Sequence, residues 1–184
     1  ILQNGASKVY AISRNPTKVK IKQKQLILEK ADVLDENSLK SLFKKIGKYD
    51  VLVSTATGGE RAVGPFLKMN MQGYRNSFHK LWGYANIVRY GIKNLSKNGN
   101  VVLVSGSPAR KPKPGFVAVS SAGGAVEAFV RAITYELAPI RINLISPGVI
   151  DTPMSPLKGK ARKDFYKNAT KDNIIKRAGT ANEV

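Results

Sequence analysis

Val101-Val-Leu-Val-Ser105 is an unbroken apolar run in which no polar residue alternates with the apolar ones. A strand with one wet face alternates; a continuous run belongs to a strand covered on both faces, as in a parallel sheet. Working outward, Tyr49–Thr55 (YDVLVST) reads the same way and is followed by Gly58-Gly59, and Arg141–Ile145 (RINLI) is stopped by Ser146-Pro147-Gly148. Helical patterns lie between. Asp35 is placed to cap a helix with Leu39, Leu42, Phe43 and Ile46 on one face and Gly47 at its end. Tyr74 to Leu95 reads as one long helix, closed by Lys97-Asn-Gly-Asn100. Phe116–Leu137 reads as another, with Ala125, Val126, Phe129, Ile133 and Leu137 as its apolar face. Upstream, Lys8–Ser13 (KVYAIS) is a short strand broken by Asn15-Pro16, and Gln25–Leu28 leads into a second that ends at Ala31-Asp32-Val33. Apolar strands separated by helices predict an α/β chain with a doubly wound parallel sheet.

The chain has 184 residues, 42% hydrophobic and 23% charged, which suits one packed domain and excludes wholesale disorder. No linker or repeat interrupts residues 1–184, which read as a single domain, with 153–184 as a basic loop and helical segment at the carboxyl edge of the sheet. No apolar run approaches the ~18 residues a membrane-spanning helix needs. Cysteine is absent and His79 is the lone histidine, so thiolate chemistry is excluded and no metal site is expected. The segment Ile1-Leu-Gln-Asn-Gly5 resembles the last turn of a helix with its cap, and Thr180–Val184 the start of another. Both ends are expected to be cut relative to the natural product.

Thirty-one Lys and Arg against 12 Asp and Glu give a net charge of +19. Such a surplus favours a polyanionic neighbour, RNA above all, although a lysine-rich proteome or organelle yields the same number. Three basic stretches carry much of the surplus. Lys18, Lys20, Lys22 and Lys24 alternate with other residues, so an extended chain puts them on one face at about 6.6 Å intervals. Arg110-Lys111-Pro112-Lys113 lies in a loop at the carboxyl edge. Residues 158–177 hold eight Lys and Arg, including Arg162 and Lys163, with Phe165 and Tyr166 interleaved as stacking platforms. Any one stretch taken alone reads better as a solvated face; three together, with few acids, favour an anionic partner. No RNA-binding motif is present, so contact would be with backbone and shape. Charge alone suggests the mitochondrial matrix; the cytoplasm fits equally.

The run Glu136-Leu-Ala-Pro-Ile-Arg-Ile-Asn-Leu-Ile-Ser-Pro-Gly148 with Asp151-Thr152-Pro153, the Val101–Ser105 strand and Gly124-Ala-Val-Glu-Ala-Phe129 together resemble the short-chain dehydrogenase/reductase superfamily. The resemblance extends over nearly all of residues 1–156 and implies a Rossmann-like fold with NADP as a possible cofactor. The family's Gly-rich phosphate turn and first strand find no counterpart here. Because that strand is central in the family, its absence predicts that the first two strands and the last three do not pair. The resemblance implies cofactor contacts from Arg14, beside the 2′-phosphate; from Asp32, near adenine; from Thr55 and Ala56; and from Pro147, Gly148 and Thr152, around the nicotinamide. Without the resemblance, Arg14 is a solvated loop arginine, Asp32 a cap, and Pro147-Gly148 a simple turn.

The family's proton chemistry uses a Tyr whose pKa is lowered by a Lys one helical turn later, a Ser at a strand end and an Asn on the long helix. The corresponding positions here are Val119, Gly123, Ser105 or Ser107, and Lys80. The resemblance is therefore to an atypical branch lacking Tyr-xxx-Lys. Lys80 and Tyr84, one turn apart, form a candidate replacement dyad, with Tyr74 or Tyr135 as further candidates. Two readings follow. One is a catalytically degenerate protein serving as a basic, RNA-contacting subunit of a ribonucleoprotein assembly such as a mitochondrial ribosome, in contact with protein partners or a second copy. The alternative is an NADP-dependent oxidoreductase of the short-chain type with altered catalytic residues.

Overall fold

A computed structural model describes residues 1–57 and 59–184; Gly58, of the Gly58-Gly59 pair after the Tyr49–Thr55 run, lies outside them. The chain runs through β1 (Val9–Ser13), β2 (Leu26–Lys30), α1 (Glu36–Ile46), β3 (Tyr49–Ser54), α2 (Met71–Ser77), α3 (His79–Gly91), β4 (Leu95–Val104), α4 (Val117–Leu137), β5 (Arg141–Ile145), β6 (Ile150–Asp151), α5 (Gly159–Ala169) and β7 (Gly179–Thr180). All strand pairings are parallel. The fold is a Rossmann-like α/β architecture. As the missing first strand predicts, β1 pairs only with β2, and β3, β4 and β5 form a separate sheet in that order.

Local chemistry explains the helix starts and stops. The Asp35 carboxylate accepts the N–H groups of Asn37 at 2.9 Å and Ser38 at 3.0 Å, which satisfies two otherwise orphaned donors of α1. Gly47 ends that helix at φ 73°, a backbone region that costs glycine nothing. The expected helix from Tyr74 to Leu95 is divided: α2 stops at Ser77, Phe78 turns the chain, and α3 ends at Gly91. Leu95 already belongs to β4, so Lys97–Asn100 lies inside a ten-residue strand and does not close the helix. Leu95 pairs with Tyr49, and Asn100 with Val51, so a register irregularity in the β3–β4 ladder absorbs the extra residues.

The core fills the space between one face of β3–β4–β5 and a layer made of α1, α3 and α4. Leu52, Val101, Leu103 and Ile142 meet Leu39, Leu42, Phe43, Tyr84, Ile87, Val88, Val126 and Val130 there. The smaller sheet joins the same core through Ala31, and Asn86 Nδ2 on α3 donates to the Val33 carbonyl at 3.0 Å. The sequence pattern predicts cover on both faces of the sheet. In the described residues Val51 and Val53 point away from the helices and remain 55% and 44% exposed.

Gly91 shows how closely the helical layer is seated. A Cβ there would lie 2.7 Å from Tyr49 Oη and 2.8 Å from Phe43 Cζ. The two rings stack at 5.9 Å, and the Tyr49 hydroxyl donates to the Gly91 carbonyl at 2.7 Å. Alanine raises helix propensity but forces this packing apart. Gly91→Ala is expected to lower stability by about 1–3 kcal/mol in urea unfolding, against the gain that propensity alone would give.

Candidate active site

The carboxyl ends of β3, β4 and β5 open onto one cleft of about 1080 Å³. Its walls include Thr55, Lys80, Ser105, Val119, Gly123, Pro147, Gly148 and Thr152. Residues more than 90 positions apart in the chain thus converge where ligands of open α/β sheets bind.

Helix α3 brings Lys80 into this cleft. Tyr84, one turn further along, is wholly buried, and its hydroxyl donates to the Val104 carbonyl at 2.7 Å. That anchor sets Lys80 Nζ 3.2 Å from the Ser105 carbonyl, to which it donates, and 5.8 Å from the centre of the Tyr84 ring. Burial, and secondarily the charge of Arg61, lowers the Lys80 ammonium to about 8. Burial pushes the Tyr84 phenol up to about 12, against the opposing effect of its bond to Val104. Tyr84 therefore has its proton committed and no access to the cleft, so the Lys80–Tyr84 dyad is not formed. Tyr74 packs against Phe66 and Phe78 at ring separations of 6.2 and 5.7 Å. Tyr135 is 89% exposed, and neither it nor Tyr74 lines the cleft.

Helix α4 supplies the opposite wall. Val119 faces the cleft. At Gly123 a Cβ would come to 3.0 Å from Ala109 Cβ and 3.3 Å from Ser105 Oγ, so a longer side chain would have to displace Ala109. The Ser105 hydroxyl donates to the Gly123 carbonyl at 3.4 Å, a long bond that leaves it able to turn toward a ligand. Ser107, the other serine candidate, lies outside the cleft lining. Its N–H donates to the Pro147 carbonyl at 2.9 Å, and its own carbonyl accepts the N–H groups of Arg110 and Lys111.

Several residues expected on ligands hold protein instead. Arg110 Nε donates to both oxygens of Glu127, at 3.1 and 3.0 Å, and the Ser146 hydroxyl donates to the same carboxylate at 3.4 Å. Glu127 is only 7% exposed, so this network ties the loop after β4 and the end of β5 to α4. Arg162 donates to the carbonyls of Thr152, Ser155 and Leu157 at 2.8, 2.9 and 3.0 Å, pairs with Asp151 and stacks on Tyr166. It is a clamp on the loop below the cleft, and it was misread as a polyanion contact because its sequence neighbours are basic. Lys18, Lys20, Lys22 and Lys24 do not share a strand face. Pro16–Lys18 forms a 3₁₀ turn and β2 starts only at Leu26, so the four lysines occupy the exposed β1–β2 connection. Lys111, Lys113 and Lys163 are exposed, as read from the sequence.

Of the expected cofactor residues, Arg14, Asp32 and Ala56 are not in the cleft lining. Arg14 is exposed beyond β1, Asp32 accepts the Leu34 N–H at 3.0 Å in a local turn, and Ala56 packs against the core. Glu127 and Arg61 escaped the sequence reading, and Tyr166, read as a base-stacking platform, lines the cleft beneath the Arg162 guanidinium. Only Glu127 left a signal, a carboxylate set within the apolar run Ala125–Phe129.

Residues 5–184 match the family model described as enoyl-(acyl carrier protein) reductase. The chain belongs to the short-chain dehydrogenase/reductase superfamily. It is 31% identical over 125 residues to a short-chain dehydrogenase/reductase of Stachybotrys chlorohalonatus, covering 65% of this chain and 49% of that protein. It is 27% identical over 164 residues to glucose 1-dehydrogenase of Gluconobacter oxydans, covering 83% and 60%. A small-chain dehydrogenase solved in complex with NADPH superposes with TM-score 0.79 at 25% identity, over 97% of this chain and 88% of that one. The chain spans about half to three fifths of the length of these two curated relatives. These short-chain oxidoreductases support the enzyme reading over the degenerate scaffold; nothing among them points to RNA binding, a ribonucleoprotein or mitochondria.

Two consequences are measurable. Unfolded, Lys80 titrates near its ordinary 10.5; folded, near 8. Between those values the unfolded chain binds more protons, so Lys80 makes stability rise with pH from about 8 to 10.5. The stability of Lys80→Met relative to the parent is therefore expected to be most favourable below pH 8 and to decline toward pH 10.5, read from paired urea midpoints. Arg162→Met removes the clamp while keeping much of its apolar stem. Faster amide exchange over residues 151–157, with α1 and α3 unchanged, is the expected result.

Proposed function

We propose that the protein is an NAD(P)-dependent oxidoreductase acting between a carbonyl and an alcohol, with Lys80 handling the proton. The observation that carries this reading is the Lys80 ammonium beside Ser105, lining the cleft opposite Val119 and Gly123. The family's Tyr and Lys stand at those two positions, and α4 is too close to Ala109 for a lysine to return at Gly123 without rearrangement.

The residues at this end of the sheet fit the nicotinamide half of NAD(P). Thr55, Gly106, Pro147, Gly148 and Thr152 line the same cleft, and the space a Cβ at Gly148 would enter is open. A nicotinamide bound there supplies a hydride to, or takes one from, a substrate carbon. The NADPH complex of a structural relative supports the phosphorylated cofactor. Arg14 would hold the 2′-phosphate by paired guanidinium bonds, although it sits on the smaller sheet, outside the cleft.

In reduction, Lys80 gives a proton to the substrate oxygen; in oxidation the neutral amine takes one from the hydroxyl. An ordinary lysine is too weak an acid for this near neutrality, and lowering it to about 8 brings it within range. The Ser105 hydroxyl orients the substrate oxygen. Tyr84 and the Glu127 network act as positioning groups, holding Lys80 and the loops around it.

The test combines binding and turnover. NADPH fluorescence is expected to show saturable binding below about 1 mM. Lys80→Met is expected to retain that binding within about threefold while losing at least about 100-fold in turnover over a panel of carbonyl substrates. The reduction rate of the parent should fall as pH rises through about 8. Absence of NADPH binding, or full turnover in Lys80→Met, would overturn the proposal.

The net charge of +19, with the exposed lysines at 18–24, 111, 113 and 163, favours a second reading as a non-catalytic subunit of an RNA-containing assembly. Sedimentation of native lysate with and without RNase separates the two. A large particle that shrinks on RNase treatment supports the second reading, and a small RNase-indifferent species supports the first.

A further inference from the structure

A second concavity shares no lining residue with the cleft. It lies between α1 and α3, encloses about 710 Å³, and has Lys40 and Lys44 on one wall and Arg89 and Lys93 on the other. Half-buried Tyr90 and Asn94 and buried Phe43 complete it. Lys40 and Lys44 are four residues apart on α1, a like-charge spacing that weakens a helix unless something neutralises it, while Arg89 lies in the last turn of α3 and Lys93 in the 3₁₀ turn that follows it.

The local supply of negative charge is used up. Glu36 is paired with Lys40 at 3.6 Å and accepts the Tyr90 hydroxyl. Among the described residues, Lys44, Arg89 and Lys93 have no carboxylate within ion-pairing distance. Cations near helix C-termini often serve the free carbonyls there. Here three carbonyls at these helix ends are served by neutral donors and not by the cations. Asn94 Nδ2 donates to the carbonyls of Phe43 and Gly47 at 2.8 and 3.0 Å, and Tyr49 Oη donates to Gly91 at 2.7 Å.

We propose that the α1–α3 groove binds a chain of phosphate groups, held by Lys44, Arg89 and Lys93. Lys44 and Lys93, with no carboxylate in ion-pairing distance among the described residues, and Arg89, which acts on Glu36 only from beyond that distance, stand on two facing walls and match a ligand with several linked negative charges better than a single phosphate. Arg89 supplies a planar fork for one phosphate and the lysines supply point charges for its neighbours. The shared chemistry is that of a free oligophosphate or a nucleic-acid backbone. The site is independent of the cofactor cleft.

The test is calorimetric titration of the protein with inorganic tripolyphosphate at constant ionic strength. A single saturable site is expected, at least about tenfold weaker in Lys44→Gln/Lys93→Gln and unchanged in Lys111→Gln/Lys113→Gln. Should the first double variant fail to fold, amide shift mapping on the parent replaces it, with tripolyphosphate-induced shifts expected over residues 40–44 and 89–94. Competition by a short oligouridylate at the same site assigns a nucleic-acid backbone, and lack of competition assigns a free oligophosphate. No saturable binding, equal binding in the Lys44→Gln/Lys93→Gln variant, or shifts that fall elsewhere would overturn the proposal.

Discussion

The end of β4 is held by two side chains from successive turns of α3. The Tyr84 hydroxyl reaches the Val104 carbonyl at 2.7 Å, and Lys80 Nζ reaches the next carbonyl, Ser105, at 3.2 Å. The first bond is neutral and made by a wholly buried side chain, and losing it would leave the Val104 carbonyl short of a donor at the edge of the core. It carries the second with it, because a helix that cannot slide along the strand fixes where Lys80 points. The same placement takes the ammonium out of water, which is why its proton is held less tightly than that of an exposed lysine. Position and acidity of the cleft's central cation therefore have one cause.

The loops around that cation are fixed by buried or half-buried charge. Glu127 joins the connection after β4 to the end of β5, and Arg162 gathers three carbonyls below the cleft. Breaking either network leaves an unpaired buried group, so the geometry is costly to deform. Part of the large positive charge is thus paired within the fold. The rest lies on the surface, and at the α1–α3 groove four cations gather around the single carboxylate of Glu36.

The strands of the main sheet were readable because apolar runs such as Val101–Val104 have no alternation to confuse them, and α1 was readable because Asp35 and Gly47 mark its ends. The division of the sheet into two pieces followed from the absence of a central strand. The break at Phe78 was not readable, since a single turned residue leaves the apolar spacing of the two short helices almost continuous. Nor was the early start of β4 at Leu95, where polar Lys97–Asn100 resembles a helix stop but is accommodated by a register irregularity. The cleft residues at strand ends, Thr55, Ser105 and Pro147-Gly148, were placed by resemblance, and the structure brings them together. The roles of Arg110 and Arg162 were hidden because a guanidinium bonded to a carboxylate or to carbonyls of the fold and one free in solvent have the same sequence signature.

The central claim is that Lys80 is a partly desolvated amine able to exchange a proton near neutral pH. The most direct measurement is an NMR titration of the Lys80 side-chain ε-carbon, assigned by comparison with Lys80→Met. The account predicts a midpoint of about 8, well apart from the cluster of surface lysines. A midpoint at the ordinary 10.5 would contradict it, and would show that the amine is open to water and unfit for the role given to it.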